Sequence, residues 1–252
     1  MTLLSDYDRF AWAYNRHWSQ FSERVAPIVM DNSILKGLPA AAHILDLCCG
    51  TGQLARALVE RGYQVTGLDI SGEMIRIAGE NAPGARFVVD DARSFAAPDV
   101  YDAVVCVFDS LNHIMTLDEL TSVFRHVRAA LREGGVFFFD INTEEGYRAQ
   151  WKGSSSIVED DYVSVARSSY SPEERTARFD ATLFRLDGAW RRSDVTLYQR
   201  CYSEEEISTA LREAGLADAR AYAVGEGLRL VEPVAETRRL FFVCYRPAGT
   251  KG

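Results

Sequence analysis

The sequence predicts an α/β protein built on a mostly parallel β-sheet. Between residues 43 and 141, five short apolar runs alternate with segments of helical periodicity, which is typical of successive βαβ units. The 252 residues contain no internal repeat, and no stretch rich in Gly, Pro or Ser divides the chain. We therefore expect a single domain over residues 1–252, with elaborations on one core.

A helical cap is expected over residues 1–40, before the sheet begins. Apolar and aromatic side chains recur there at helical spacing, namely Tyr7, Phe10, Ala11, Tyr14, Trp18 and Phe21. Such a face is stable only when it is covered, so we expect the helix to pack against the rest of the fold.

Five parallel strands are expected in the core, each formed by a short apolar run. They are HILDL ending at Leu47, QVTGLD ending at Asp69, RFVV ending at Val89, YDAVVCVF ending at Phe108 and VFFFDI ending at Ile141. Because ligands of open α/β sheets bind at the carboxyl ends of the strands, the residues that end these strands are candidates for one shared site.

Capping residues mark two further helices. Thr116 with Glu119 forms a capping box before an amphipathic run, and Gly134 is expected to end that helix. The same box begins at Ser203, and Gly215 is expected at the end of the helix that follows. Both helices are therefore predicted with defined starts and stops.

The pattern of residues 154–202 predicts an antiparallel β insertion. The stretches YVSVARSSY, ARFDATLFRL and SDVTLYQRCY alternate in polarity and are separated by the turn-forming SPEE and DGAWR. A strand near residues 219–224 and another at RRLFFVCY are expected to pair as a hairpin on the sheet edge. The core is therefore assigned to residues 41–150 and 203–252.

Composition and charge exclude several classes of protein. Hydrophobic residues make up 47% of the chain and charged residues 25%, as in an ordinary globular protein rather than a disordered one. The net charge of −8 opposes binding to nucleic acid. We expect no nucleic-acid partner and no membrane span, since no apolar run approaches the roughly 20 residues that cross a bilayer.

The N-terminal residues and the cysteines indicate the cellular compartment of the protein. MTLLSDYDRF carries Asp6 and Asp8 where a secretory signal needs an apolar segment, so a cytoplasmic protein is expected. The five cysteines are odd in number and lack metal-ligand spacing. This pattern predicts free thiols in a reducing compartment and no metal site.

The segment ILDLCCGTGQLA, residues 44–55, carries the strongest indication of a ligand. It predicts a strand that passes through a glycine-containing turn into a helix. Gly50 and Gly52 permit positive φ and a close approach of the backbone to a ligand, while the unpaired N–H groups at the helix start suit an anionic group. We expect a binding site at this junction.

Acidic residues end the two strands that follow. Asp69 lies nineteen residues after Gly50, the spacing at which a carboxylate accepts hydrogen bonds from the hydroxyls of a ribose. Asp90 and Asp91 end the third strand, where an acceptor suits the amino group of an adenine. Three strand ends thus indicate one ligand that contains adenosine.

Two kinds of adenosine cofactor fit this pattern. GTGQLA satisfies the dinucleotide motif G-x-G-x-x-G/A, so a nicotinamide or flavin nucleotide is one alternative. Asp46 lies four residues before Gly50, and its carboxylate would repel the pyrophosphate of a dinucleotide. The same carboxylate would attract a cation, which favours S-adenosylmethionine with its sulfonium and ammonium groups.

From residue 7 to residue 245 the chain resembles the class I S-adenosylmethionine-dependent methyltransferases, most of all bacterial enzymes that act on amino sugars and other small metabolites. DLCCGTG resembles the family's first motif, acid-x-G-x-G-x-G, matched at Asp46, Gly50 and Gly52 with Cys48 in place of the first glycine. LREGGVFFFDIN and RRLFFVCY resemble its fifth strand and its late antiparallel strand. The resemblance implies a Rossmann-like, mostly parallel seven-stranded sheet with one antiparallel strand.

The resemblance also implies which residues bind S-adenosylmethionine. Asp46 and the backbone from Cys48 through Gly50 to Gly52 would hold the methionine portion, and Asp69 the ribose hydroxyls. The other contacts it implies are Ile70 and Met74 on the faces of the adenine, Asp91 and the backbone of Ala92 at its edge, Phe108 beside the sulfur, and Tyr14 closing over the cofactor.

His113 is the candidate catalytic residue. It follows the fourth strand in VFDSLNHI, where the acceptor approaches. An imidazole with an ordinary pKa of about 6.5 removes a proton from an amine or a hydroxyl at neutral pH. Asp109 and Asn112 share the loop as candidates to orient the ring, and a purely structural histidine is the alternative interpretation.

The insertion and the helical cap are expected to cover the site, and the insertion is expected to set the choice of acceptor. Arg185, Arg191 and Arg192 of the insertion suit a phosphorylated or carboxylated substrate. The neighbouring Asp187 and Asp194 favour a solvated strand face instead.

The expected reaction is methyl transfer to nitrogen or oxygen of a small-molecule acceptor, by a monomer or homodimer. Methyl transfer depends on orientation more than on covalent machinery, which agrees with a sequence that shows no catalytic triad. FDSLN stands where adenine-methylating relatives carry Asn/Asp-Pro-Pro-Tyr/Phe. An NAD(P)-dependent oxidoreductase and a non-catalytic S-adenosylmethionine-binding module are the alternatives.

Overall fold

The helical cap opens the fold. The computed structural model describes residues 5–31, 34–35, 37–39 and 41–249, so the remaining positions of the predicted cap lie outside the described residues. The described cap has two helices where one was expected, α1 (Asp6–His17) and α2 (Gln20–Asp31). Ser5 and Asp8 form a capping box at the start of α1, which sets where that helix begins.

The core then alternates strands and helices as predicted. In chain order it contains β1 (His43–Leu47), α3 (Gln53–Glu60), β2 (Gln64–Asp69), α4 (Gly72–Asn81), β3 (Arg86–Val89), β4 (Tyr101–Cys106), α5 (Leu117–Ala130), β5 (Leu131–Asn142) and α6 (Glu144–Gln150). A single 3-10 turn, Ser110–His113, follows β4.

The insertion and the tail complete the chain. The insertion holds β6 (Gly153–Val158), β7 (Tyr162–Ser171), β8 (Thr176–Asp187) and β9 (Ala189–Arg200), and the tail holds α7 (Glu204–Glu213), β10 (Ala217–Val224), β11 (Leu230–Val231) and β12 (Arg239–Tyr245). The capping box predicted at Ser203 is present, and Gly215 follows α7 with φ +78°.

The main sheet has the strand order β11-β10-β12-β5-β4-β1-β2-β3. Strands β1 to β5 are parallel, while β12 runs antiparallel to β5 with Phe242 opposite Phe139. The predicted pair β10 and β12 forms, and β12 lies between β10 and β5 rather than at the edge of the sheet. The seven predicted strands are thus confirmed, and the two-residue β11 extends the edge as an eighth.

The sheet is buried on both faces, which explains the continuous apolar runs of its strands. Side chains of β5 alternate between two cores: Phe137 and Phe139 pack with α5 and α7, while Phe138 packs with α2 and α3. Phe139 also stacks on Phe242 of β12, with ring centroids 5.0 Å apart. Helices on both faces therefore hold the strand ends in fixed positions.

The insertion forms a separate antiparallel sheet in the order β6-β7-β8-β9. Its buried face packs on α1, where Phe10 and Ala13 contact a cluster that includes Tyr162, Leu183 and Leu197. The cap and the insertion therefore pack against each other.

Two predicted boundaries were wrong. β4 ends at Cys106 rather than at Phe108, because Phe108 and the next residue have φ of +65° and +48°, which no strand accommodates. α5 ends at Ala130 rather than at Gly134, because Leu131 is already extended and starts β5. Gly134 lies instead in the irregular part of β5, where the pairing with β4 shifts register.

Candidate functional site

A cavity of about 470 Å³ lies at the carboxyl ends of the central strands, beneath α1 and the insertion. Most of the predicted site residues line it, namely Tyr14, Cys48, Gly50, Asp69, Ile70, Met74, Asp91, Ala92, Phe108 and His113. Its size is that of a site for a cofactor or a small molecule. Asp46 and Gly52 are absent from the described lining.

Asp46 lies beneath the glycine loop rather than in the cavity wall. Its side chain is buried, and its Oδ2 has no hydrogen-bond partner among the described residues. Burial and the nearby charge of Asp69 raise the pKa of Asp46 to about 8. The backbone N–H of Ala55 is a partner of this carboxylate, but its second oxygen is buried with none, which is costly unless a positive charge compensates for it, so Asp46 favours a cationic ligand close to the loop.

Gly52 serves the packing of α3 rather than the lining of the cavity. It begins α3 with φ +83°, and a Cβ there would lie 3.0 Å from the Cβ of Ala78 and 3.1 Å from its Cα. Because these atoms belong to α4, a larger residue would push the two helices apart. The glycine is therefore needed for both its backbone conformation and its size.

Gly50 forms the floor of the cavity. It has φ +53°, and its N–H donates to Oδ2 of Asp69 at 2.9 Å. A Cβ on Gly50 would lie 3.3 Å from Cε1 of Tyr14, so the tyrosine ring of α1 lies directly over the loop. Cys48, in place of the family's first glycine, adopts φ +58°. The loop therefore keeps a left-handed backbone at both positions.

Asp69 is held rigidly at the end of β2. Its Oδ1 accepts the N–H of Ser71 and its Oδ2 accepts the N–H of Gly50, each at 2.9 Å. Burial raises the pKa of Asp69, while these two N–H groups oppose the shift. A carboxylate has about four acceptor positions, so Asp69 keeps acceptor capacity for a hydroxyl of a ribose.

The residues expected around an adenine lie together beyond Asp69, and they are Ile70, Met74, Asp91 and Ala92. Asp91 is bound by Arg93, whose Nη2 lies 2.6 Å from Oδ2, and this partner lowers the pKa of Asp91. Asp90 caps the same turn by accepting the N–H of Asp91 at 2.8 Å. Both carboxylates line the cavity.

The charges that line the cavity favour a cation. The lining contains the carboxylates of Asp69, Asp90, Asp91 and Asp109. It contains only two guanidinium groups, those of Arg93 and Arg239. The acidic residues therefore exceed the basic ones. This lining fits S-adenosylmethionine, whose sulfonium and ammonium groups carry positive charge, and opposes the pyrophosphate of a dinucleotide.

A buried ion cluster fixes the turn after β4. Asp140 of β5 accepts the backbone N–H groups of Phe108 and Asp109, at 2.7 Å and 3.0 Å. Arg239 of β12 bridges the carboxylates of Asp140 and Asp109, with 2.7 Å to Oδ1 of Asp109. These bonds hold the two positive-φ residues in place, so Phe108 and Asp109 face the cavity in a defined orientation.

His113 lies where three parts of the fold meet. Its Nδ1 is 2.8 Å from the carbonyl oxygen of Tyr198, which only accepts, so we assign the proton to Nδ1. Nε2 is then an acceptor, 2.8 Å from the hydroxyl of Tyr7 and 3.0 Å from Nε2 of Gln199. Gln199 also donates to Asp109 at 2.5 Å. Burial lowers the pKa of His113, which keeps the ring neutral.

Several residues of this network were not predicted from the sequence, namely Tyr7, Asp140, Gln199 and Arg239. Tyr7 was interpreted as packing, and Gln199 and Arg239 lie in strands that give no sign of a site. Asp140 does carry a signal, because it interrupts the apolar run VFFFDI in a strand buried on both faces. Asp109 and Asn112 were named as residues that orient the histidine, and Asn112 instead binds the backbone of Asn142 and Arg200.

The described residues show no cluster of His, Cys, Asp and Glu suited to a metal ion. The five cysteines are free. Within the ranges that the structure describes, no helix combines the length and the apolar composition needed to span a membrane.

Comparisons with known proteins find methyltransferases. A family model described as a methyltransferase domain matches residues 44–135. "Putative methyltransferase YqeM" of Bacillus subtilis is 31% identical over 211 residues, covering 81% of this chain and 84% of YqeM. The dTDP-3-amino-3,6-dideoxy-alpha-D-glucopyranose N,N-dimethyltransferase of Streptomyces fradiae is 33% identical over 189 residues, or 71% of each chain.

The fold also matches solved structures. The crystal structure of an S-adenosylmethionine-dependent methyltransferase from Clostridium acetobutylicum superposes with a TM-score of 0.79 at 23% identity, over 97% of this chain and 100% of that one. The alternatives of an oxidoreductase and of a non-catalytic binding module are therefore set aside. The chain belongs to the class I S-adenosylmethionine-dependent methyltransferases, and S-adenosylmethionine is its cofactor.

Proposed function

We propose that this enzyme methylates the nitrogen of a small-molecule amine, of the amino-sugar class. The observation that carries the proposal is a neutral imidazole at the acceptor end of the cavity, connected to a carboxylate through one side-chain amide. Nε2 of His113 is an acceptor. The side-chain Nε2 of Gln199 lies within hydrogen-bond distance of both this nitrogen and the carboxylate of Asp109.

The proton balance of N-methylation suits this arrangement. An amine attacks through its lone pair, so an acceptor that arrives as an ammonium ion must first lose a proton. Nε2 of His113 takes that proton when the acceptor displaces the hydroxyl of Tyr7 from it. Bound S-adenosylmethionine supplies the activated methyl group, and the protein supplies the orientation of the nitrogen toward it.

The charge of the cavity also favours nitrogen over oxygen. Methylation of a neutral amine yields an ammonium product, which the excess of carboxylates in the lining of the cavity stabilises. Methylation of a sugar hydroxyl passes through a developing alkoxide, which the same carboxylates destabilise. We therefore assign the reaction to nitrogen.

The outer wall of the cavity fits a ring with an apolar face. Phe10, Trp151, Phe179 and Leu197 line it, and all are aromatic or aliphatic. A deoxygenated amino sugar buries such a face and directs its amino group inward. The Streptomyces fradiae relative carries a dideoxy amino sugar in its name, which supports this substrate class.

We also propose the cofactor contacts. Asp69 would bind the ribose hydroxyls, Asp91 the edge of the adenine, and the loop at Gly50 the methionine portion. The support is their position in one cavity, together with the acceptor capacity that Asp69 keeps. Asp46 would act through its charge beneath the loop rather than by contact.

A matched panel of acceptors tests the proposal. The enzyme is incubated with S-adenosylmethionine and pairs of deoxy sugars, free and nucleotide-linked, that differ only in an amino group or a hydroxyl at one carbon. Mass spectrometry of the products should show methylation of the amino member and none of the hydroxyl member. Methylation of the hydroxyl member at a comparable rate would overturn the assignment to nitrogen, and so would an absence of methylated amine in the whole panel.

A further inference from the structure

A second groove, of about 560 Å³, lies on the opposite side of α1 from the methyl-transfer cavity. The two have no lining residue in common. We call it the arginine groove, and it is lined by Asp8, Arg9, Trp12, Ala13, Gly72, Glu73, Tyr162, Leu183, Arg185, Asp187, Arg191 and Ser193. It therefore lies between the cap and the long hairpin β8–β9 of the insertion.

Two arginines of the groove lie side by side, which costs stability through repulsion between like charges. Arg185 of β8 and Arg191 of β9 are direct cross-strand partners, so their side chains leave the same face of the sheet. Like charges directly opposite one another destabilise a strand pair. Arg9 adds a third guanidinium group from α1.

Acidic residues make no direct ion pair with this cluster, although the pKa of Asp161, which a side-chain hydrogen bond lowers most, is lowered further by the charge of Arg185. Among the described residues, no ion pair involves Arg9, Arg185 or Arg191, whereas Arg192 of the same hairpin pairs with Asp194 at 2.9 Å. The two arginines therefore depart from the pairing that their own hairpin uses.

The acids of the groove are engaged elsewhere. Asp8 accepts from the hydroxyl of Ser71 at 2.6 Å and from the N–H of Glu73 at 3.1 Å. Glu73 pairs with Arg76 at 2.8 Å. Asp187 is then the one acid of the lining to which the described contacts give no partner. A single unengaged carboxylate therefore faces the charges of three arginines in the groove.

One guanidinium group is already oriented. Arg185 lies over the ring of Trp12, with its Cζ 4.4 Å from the ring centroid. Stacking of this kind holds the guanidinium plane and leaves its N–H groups free to donate at the edge. The loss of side-chain entropy on binding an anion is correspondingly smaller.

We propose that the arginine groove binds the phosphate or diphosphate group of a small phosphorylated molecule. Three guanidinium groups with free donors match the charge and the paired acceptor oxygens of such a group. A nucleic acid is disfavoured because the chain carries a net charge of −8. The bound group would join Arg9 of the cap to the insertion, and would thereby hold closed the cover of the methyl-transfer cavity.

Calorimetry with inorganic pyrophosphate tests the site, with S-adenosylhomocysteine present so that the methyl-transfer cavity is filled. The wild type should bind pyrophosphate, and the double variant Arg185→Gln/Arg191→Gln should bind it at least about tenfold more weakly. The matched control Arg192→Gln changes an arginine of the same hairpin that already has an acidic partner, and it should bind as the wild type does.

Three outcomes would overturn the proposal. They are no binding of pyrophosphate by the wild type at millimolar concentration, equal binding by the double variant, and an equal loss of binding in Arg192→Gln. Circular dichroism and affinity for S-adenosylhomocysteine show whether each variant is folded. Because the readout is binding of pyrophosphate, the result is independent of which acceptor the enzyme methylates.

Discussion

The hydroxyl of Tyr7 lies 2.8 Å from Nε2 of His113, and the two rings meet edge to face with their centroids 5.5 Å apart. This contact joins the helical cap to the loop after β4. Gln199 of the insertion reaches the same nitrogen, so both parts of the cover meet the imidazole. The protonation of His113 is therefore linked to the contacts that the cap and the insertion make with the loop after β4.

Burial of His113 predicts a dependence of stability on pH. Its pKa is lowered in the folded state, so below the unfolded value of about 6.5 the unfolded chain binds the proton more readily. The contribution of the neutral ring to the free energy of unfolding is therefore fully present above this pH and is lost as the pH falls below it. We expect the unfolding free energy of the wild type minus that of His113→Gln to be constant above about pH 6.5 and to shrink below it. A difference that stays constant on acidification would contradict this.

Removing the Tyr7 hydroxyl should raise the pKa of His113. The hydroxyl donates to Nε2 only when that nitrogen is unprotonated, so it stabilises the neutral ring. We expect Tyr7→Phe to move the NMR titration of the His113 ring to higher pH. Tyr245→Phe, at an exposed position on β12, is the control and should leave the titration unchanged. An unchanged titration in Tyr7→Phe would show that the hydroxyl does not donate to this nitrogen.

Arg239→Gln should destabilise the fold strongly. The change leaves the buried carboxylates of Asp109 and Asp140 facing each other without a counter-charge, and losing one partner of a buried pair costs about 3 to 5 kcal/mol. Urea unfolding measures the loss, which should decrease at low pH as Asp140, whose pKa is raised by burial, becomes protonated. Arg192→Gln breaks an exposed pair and should leave the free energy of unfolding nearly unchanged. Equal effects of the two changes would argue against a buried cluster.

The packing role of Gly52 can be tested by comparing Gly52→Ala with Gly62→Ala, a control variant outside the glycine loop. Both residues have positive φ, +83° and +91°, so both variants carry backbone strain of about 1 to 2 kcal/mol. A Cβ on Gly62 meets nothing within 4 Å, whereas on Gly52 it meets Ala78 at 3.0 Å. We expect a further loss of about 1 to 3 kcal/mol for Gly52→Ala by thermal unfolding. Similar losses in both variants would remove the packing role assigned to Gly52.

The parallel strands, and the loop and acidic residues that follow them, could be predicted because their signals are local. The apolar runs mark each strand, and the loop at Gly50 with Asp69 follows a fixed spacing along βαβ units. Asp46 was predicted at its position, but its placement beneath the loop rather than in the cavity depends on which face of β1 it occupies. Gly134 shows a similar limit, since a helix stop and an irregular strand both use a glycine of positive φ.

The acceptor half of the site could not be predicted because it is assembled from distant segments. Tyr7, His113 and Gln199 come from the cap, the core and the insertion, and no spacing relates them. Arg239 reaches Asp109 only because β12 inserts beside β5, and that placement is set by tertiary packing. Asp140 alone carried a local sign, as a charge within a buried strand.

Binding of S-adenosylhomocysteine to Asp69→Ala, measured by calorimetry beside the wild type, tests the acidic cofactor site most directly. The control Asp160→Ala removes an exposed aspartate between β6 and β7 and should bind as the wild type does. The variant Asp69→Ala should bind more weakly by about 1 to 3 kcal/mol, because charge-assisted hydrogen bonds to the ribose are lost. Equal affinity in a folded Asp69→Ala protein would contradict the site described above.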